Sequence, residues 1–140
     1  MHEVELKLPS DPRLLKIVRS GALHVCDLCG FSAEEKNQVV LAVDEAASNI
    51  IKHTYRGERD KPIIVCYRVL DDRLEIILRD YGEKADLDKI KPRSLEDIRP
   101  GGLGVFFIKS TMDKVYYDNN QEVGNKLTLI KYLPGKKEST

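Results

Sequence analysis

At 140 residues the chain has the size of one domain, and it can bury a core without help from disulfides or a metal. Its 23 basic and 23 acidic residues cancel, so no overall positive field draws it toward nucleic acid or an anionic membrane. No apolar run approaches the roughly 20 residues of a membrane span, and the start MHEVELKLPS lacks the layout of an export signal, so a cytoplasmic location without direct nucleic-acid or membrane contact is expected.

Taken in chain order, Glu3 to Leu8 alternate polar and apolar, the period of a half-buried strand, and Pro9 stops it. Ser10 or Asp11 can cap a helix with Pro12 in its first turn; Leu14, Leu15, Ile17, Val18, Ala22, Leu23 and Val25 follow at helical spacing, and Gly30 closes it. Cys26 and Cys29 form a C-x-x-C pair near the end of this helix, with His24 close by. No second such pair completes a zinc site, and the negative end of a helix dipole disfavours a thiolate, so structural, half-buried thiols are expected. A third cysteine, Cys66, leaves an odd number, and a reducing compartment requires no pairing.

Ser32-Ala33-Glu34-Glu35 is a capping box that opens a second helix running to about Thr54. Ile63–Leu70 and Arg73–Asp80 are β-rich runs around Asp71-Asp72 and read as a hairpin. Residues Glu83 to Pro100 are highly charged, contain two prolines and carry only a weak apolar pattern, which predicts a long mobile loop. Gly101-Gly102-Leu103-Gly104 leads into the apolar VFFIKS, a short helix, and strands follow at Lys114–Tyr117 and Lys126–Tyr132. The order predicts an α+β domain over residues 1–133, helices layered on one largely antiparallel sheet, with a disordered tail over 134–140.

On the second helix, at about 100° per residue, Val39, Val43, Ala46, Ala47 and Ile50 share one arc while Glu45, Asn49 and Lys52 stack on the other side. A polar stripe opposite a core is what any surface helix shows. Glu45 and Asn49, four apart, nevertheless project side by side and can share a small ligand. Asp80 ends the apolar face of its strand, with Leu74, Ile76 and Leu78, so its carboxylate must find donors there. It suits either a turn cap before Tyr81-Gly82 or an acceptor for a purine amino group. The glycines of GGLG either make a simple turn or let backbone N–H groups approach phosphate oxygens at a helix start; no Walker loop is present.

Together E-x-x-x-N on a helix, D-x-G after a strand, a loop, G-x-G opening a helix and a threonine in the last strand resemble the GHKL ATP-binding superfamily, over nearly the whole chain. VDEAASN, RDYG, RPGGLGVFFIK and GNKLTLIKYL look most like the stand-alone serine protein kinases that act as bacterial anti-sigma factors. That resemblance implies a two-layer sandwich, one mixed, largely antiparallel sheet covered on one face by about three helices. It also implies ATP and Mg2+ as cofactors, with Glu45 as catalytic base, Asn49 as magnesium ligand, and Asp80 and Gly82 at the adenine. Gly102, Leu103, Gly104 and Val105 would face the phosphates, Lys52 matches a phosphate-side lysine, and Thr128 matches the threonine behind the adenine. The implied partners are a small anti-sigma-factor antagonist, phosphorylated on serine, a sigma factor, and a second copy in a homodimer.

One departure is Lys84, which stands where the superfamily often has a second glycine after Asp80-Tyr81-Gly82. Two other readings compete. One is a nucleotide-gated module that sequesters a partner without phosphoryl transfer, which would not need Glu45. The other is a detached histidine-kinase catalytic domain, which would need a phosphoacceptor histidine upstream. His2 and His24 suit incidental positions better, and His53 suits a cation at a helix C-terminus.

Overall fold

The alternation in Glu3–Leu8 does produce a strand, β1 (His2–Pro9), in the computed structural model of the chain, which describes residues 1–84, 108–118 and 120–136. Asp11 then caps a short 3-10 turn, Pro12–Leu14, by accepting the Arg13 N–H at 2.9 Å, and α1 continues from it as Leu15–Cys29. Gly30 ends α1. Ser32 and Glu35 form the expected reciprocal box, each side chain accepting the other's backbone N–H at 3.1 Å, and α2 spans Ala33–Asn49.

The helical path reaches Thr54 as its periodicity predicts, but the last five residues, Ile50–Thr54, wind as a π-turn, with the Tyr55 N–H bonded to the Ile50 carbonyl at 2.9 Å. Such an insertion is invisible to hydrophobic spacing, because one extra residue in a single turn leaves the buried pair Ile50 and Ile51 on the core side. Four more strands follow: β2 (Pro62–Val69), β3 (Arg73–Asp80), β4 (Lys114–Asp118) and β5 (Asn125–Tyr132). They form one sheet in the order β1-β2-β3-β5-β4, and each of its four pairings is antiparallel.

The period of two assigns the faces. Ile63, Val65, Tyr67 and Val69 of β2, Leu74, Ile76 and Leu78 of β3, and Leu127 and Leu129 of β5 are buried under the helices. There they meet Val18, Ala22 and Val25 of α1 and Val39, Val43, Ala46 and Ala47 of α2. Each such aliphatic side chain contributes about 1.5–3 kcal/mol by leaving water. A helical turn at 108–111 adds Ile108 to the same core. The result is the expected two-layer α+β sandwich. Among the described residues no helix is long and apolar enough to cross a membrane.

Cys26, Cys29 and Cys66 are free and buried. Burial pushes the Cys26 thiol up to about 12 and the Cys29 thiol up to about 11, so neither is a nucleophile near neutral pH. Among the described residues no three His, Cys, Asp or Glu side chains gather as a metal site. In the folded protein a water-soluble disulfide reagent is therefore expected to leave both α1 thiols unmodified for as long as the chain stays native, and to react with all three cysteines in denaturant. Rapid native labelling of Cys26 and Cys29, located by peptide mass, would contradict the structural role.

Candidate functional site at the end of the sheet

Asp80 is the last residue of β3, opposite Ile63 of β2 and Asn125 of β5, and is 3% exposed. A carboxylate in that position needs donors, and it has them. Its Oδ1 accepts the Gly82 N–H at 3.1 Å and the Asn125 Nδ2 at 3.0 Å. Burial lifts the Asp80 carboxyl above its ordinary value, while the hydrogen bonds from Asn125 and Gly82 pull the other way.

Because this group is more basic in the folded state than in the unfolded chain, its contribution to stability is full below the ordinary carboxylate range. That contribution is lost as pH rises through the folded value. Asp80→Asn is expected to abolish this dependence, so that the melting temperature of the variant gains on that of the wild type as pH rises through the mildly acidic range. Parallel melting curves across that range would show that Asp80 does not titrate as described.

The chain after Asp80 is gripped from the helix side. Tyr55, just past the π-turn, donates its hydroxyl proton to the Pro62 carbonyl at 2.6 Å and accepts the Tyr81 N–H at 2.7 Å. Gly82 lies so close to Thr54 and Tyr55 that a Cβ would run into the Thr54 methyl group. The segment Asp80–Gly82 is thus seated against the end of the helix that carries Glu45 and Asn49. Both of those side chains are half-buried on α2, whereas Lys52 is exposed on the π-turn. The wider winding there means that Lys52 does not continue the Glu45–Asn49 row with ideal α spacing. From Glu45 to Tyr55 the helical path covers about 15 Å, enough for two ends of one extended ligand.

Thr128 does not stand beside Asp80. It pairs with Ile77 on β3 and Tyr116 on β4, one step out of phase with Asp80, Leu127 and Leu129, so it stands on the opposite face of the sheet. The residue that meets Asp80 from β5 is Asn125. Gly124, before it, has φ of 80° and lies against the Asp80 backbone, with no room for a Cβ beside the Asp80 carbonyl. The sequence carries a trace of this in Gly124-Asn125 at the start of a strand. Recognising its partner requires knowing that β5 pairs with β3 across 45 residues. Tyr55 left no comparable trace. Gly102, Leu103, Gly104 and Val105, and the loop Glu83 to Pro100 beyond Lys84, lie outside the described residues.

The donor set suits a magnesium nucleotide. Mg2+ favours oxygen ligands and is normally held by one or two side chains plus phosphate oxygens, so it needs no multi-carboxylate cage. A carboxylate and a carboxamide four residues apart on a half-buried helix face fit that demand, and a buried carboxylate with fixed orientation fits a purine amino group.

Residues 8–131 match the profile of the histidine kinase-like ATPase domain family. The serine-protein kinase RsbW of Listeria innocua is 34% identical, with 95% of this chain and 89% of that protein aligned; RsbW of Bacillus subtilis is 28% identical, over 96% and 88%. Among solved structures, the crystal structure of the RsbU and RsbW domains of a Mycobacterium tuberculosis protein superimposes with a TM-score of 0.70. It is 16% identical and covers 95% of this chain and 32% of that one. A histidine kinase domain from a blue-light-activated histidine kinase of Erythrobacter litoralis gives 0.57 at 14% identity, covering 91% and 63%. At those identities the structural likeness establishes the fold alone.

Proposed function

Since the chain belongs to the histidine kinase-like ATPase domain family, we propose that the helix-and-strand-end arrangement around Asp80 is a magnesium–ATP site serving phosphoryl transfer to a protein serine. The chain is an ATP-dependent serine protein kinase acting as an anti-sigma factor. Its acceptor is a serine of a small antagonist protein, and its second partner is a sigma factor. The setting is the cytoplasm. The observation that carries the reading is the seating of Asp80–Gly82 against the end of the helix that presents Glu45 and Asn49.

In this reading Asp80 accepts a hydrogen bond from the adenine amino group, and Gly82, lacking a Cβ, lets the chain after Asp80 lie against Thr54 and Tyr55 at the edge of the base. Asn49 would hold the metal through its carboxamide oxygen. A metal held there would supply positive charge to offset the charge that develops during transfer. Glu45 lies one helical turn from Asn49 and accepts the proton of the incoming serine hydroxyl. Lys52, exposed at the π-turn, contributes positive charge near the phosphates, and Gly102, Leu103, Gly104 and Val105 are assigned to the same phosphates by their G-x-G motif.

Phosphoryl transfer is what separates this kinase from a module that only sequesters a partner, and from a histidine kinase. Incubating the protein with γ-labelled ATP and its antagonist, followed by peptide mapping, is expected to place label on one antagonist serine. Partner binding that depends on ATP while all label remains on nucleotide would overturn the kinase assignment. Acid-labile label on this chain's own histidines would favour the histidine-kinase reading instead.

A further inference from the structure

Tyr55 touches no ligand in the roles assigned above, yet its hydroxyl joins the three segments that meet at the site. It donates to the Pro62 carbonyl at 2.6 Å, where β2 begins, and accepts the Tyr81 N–H at 2.7 Å, where β3 has just ended. A phenol has one proton to give, so the carbonyl takes it and the oxygen is left to accept. The ring is buried, at 6% exposure. Burial pushes the phenol above its ordinary value while the Tyr81 N–H pulls the other way, so the proton stays in place at neutral pH. The π-turn delivers this side chain: the Tyr55 N–H reaches the Ile50 carbonyl and the Gly57 N–H reaches the Ile51 carbonyl, at 2.9 and 2.8 Å. One residue fewer in that turn would swing position 55 by about 100° around the helix axis, away from the end of β2 and β3.

We propose that Tyr55 is a positioning residue of the nucleotide site, its hydroxyl fixing the Asp80–Tyr81 peptide and, through that peptide, the aim of the Asp80 carboxylate at a 6-aminopurine. The proposal rests on the nucleotide-site reading above and adds to it a control of base recognition from the helix side. The link runs along the backbone. The hydroxyl holds the Tyr81 N–H, and the next N–H, that of Gly82, turns back to Asp80 Oδ1 at 3.1 Å. Release of the Tyr81 N–H frees that peptide to rotate, and the Gly82 donor leaves the carboxylate with it. Two replacements separate the bonds. Phenylalanine fills the same space and makes neither. 4-Aminophenylalanine still donates to the Pro62 carbonyl, but its lone pair is shared with the ring and accepts poorly.

The test uses the full chain with Tyr55→Phe and with 4-aminophenylalanine at position 55. Binding of ATP and ITP, hydrogen exchange of the Tyr81 amide, and melting without nucleotide are measured for each. ITP carries the same ribose and triphosphate but has an oxygen acceptor at position 6, where adenine donates. Tyr55→Phe is expected to lower the ATP-to-ITP affinity ratio roughly tenfold, with faster exchange at Tyr81 and a lower melting temperature. The 4-aminophenylalanine protein is expected to recover most of the melting temperature while its ratio stays low. A purely structural tyrosine would lower melting and leave the ratio alone.

A wild-type ratio in Tyr55→Phe, or wild-type exchange at its Tyr81 amide, overturns the positioning role. So does a ratio that returns together with melting in the 4-aminophenylalanine protein, since the Tyr81 bond would then not carry the effect. If Tyr55→Phe does not fold, the 4-aminophenylalanine protein decides alone: a low ratio supports the role and a wild-type ratio overturns it. Equal binding of ATP and ITP by the wild type would instead remove Asp80 as the adenine contact, and failure to bind ATP would remove the nucleotide site; either defeats the reading on which the role rests.

Discussion

Glu45→Gln is expected to keep ATP bound while slowing transfer to the acceptor serine by on the order of 10²- to 10⁴-fold. Glutamine has nearly the same size and rotamers, so α2 should retain its packing on Val43, Ala46 and Ala47, which are buried on the other side of the helix. What is lost is the ability to take a proton. If Glu45 acts in the transition state, the fall appears in the single-turnover rate and not in the nucleotide dissociation constant. Asn49→Ala is expected to behave in the opposite sense: affinity for ATP becomes weak and loses most of its dependence on Mg2+, because the proposed metal ligand is missing in the ground state too. Equal single-turnover rates in Glu45→Gln and the wild type would remove the assignment of the base.

Gly124→Ala is expected to destabilise the fold by about 3 kcal/mol, close to ten degrees of melting temperature for a chain of this size. Two effects add. An alanine at φ of 80° is in the left-handed region, at about 1 kcal/mol or more. Its Cβ would also collide with the Asp80 carbonyl oxygen, which is backbone and cannot rotate away, so β3 and β5 must separate where Asp80 and Asn125 pair. Gly57 is a control built into the same molecule. It has φ of 83° and open space around a hypothetical Cβ, so Gly57→Ala carries the backbone penalty alone, about 1 kcal/mol. Denaturant unfolding of both variants isolates the steric part. Equal losses in the two would mean that β5 does not press on Asp80 as the structure shows. Because the collision is at Asp80, the proposed adenine contact, any folded Gly124→Ala protein should also bind ATP more weakly.

These two glycines look alike in the sequence, and so do many of the positions that matter here. Local features were legible without any structure: the capping box at Ser32–Glu35, the hairpin at Asp71-Asp72, and the apolar arc of Val39, Val43, Ala46 and Ala47. All of them depend on neighbours within a turn or two, where helical and strand periods leave few alternatives. The strand placement of Asp80 on the apolar face followed from the same period. The π-turn did not, because its two buried residues, Ile50 and Ile51, face the core under either winding.

What the amino-acid order determined by itself was therefore the elements, their buried faces, and the candidate pair on α2. The tertiary structure alone decided which distant side chain stands beside Asp80. Thr128 and Asn125 both lie in β5, three residues apart, and an odd offset in a strand means opposite faces of the sheet. Which of them reaches the site depends on the register of β3 against β5, and that register is set by packing between segments 45 residues apart, with Gly124 permitting the close approach. Long-range register is a property of the assembled sheet, whereas the period within one strand is a property of the strand.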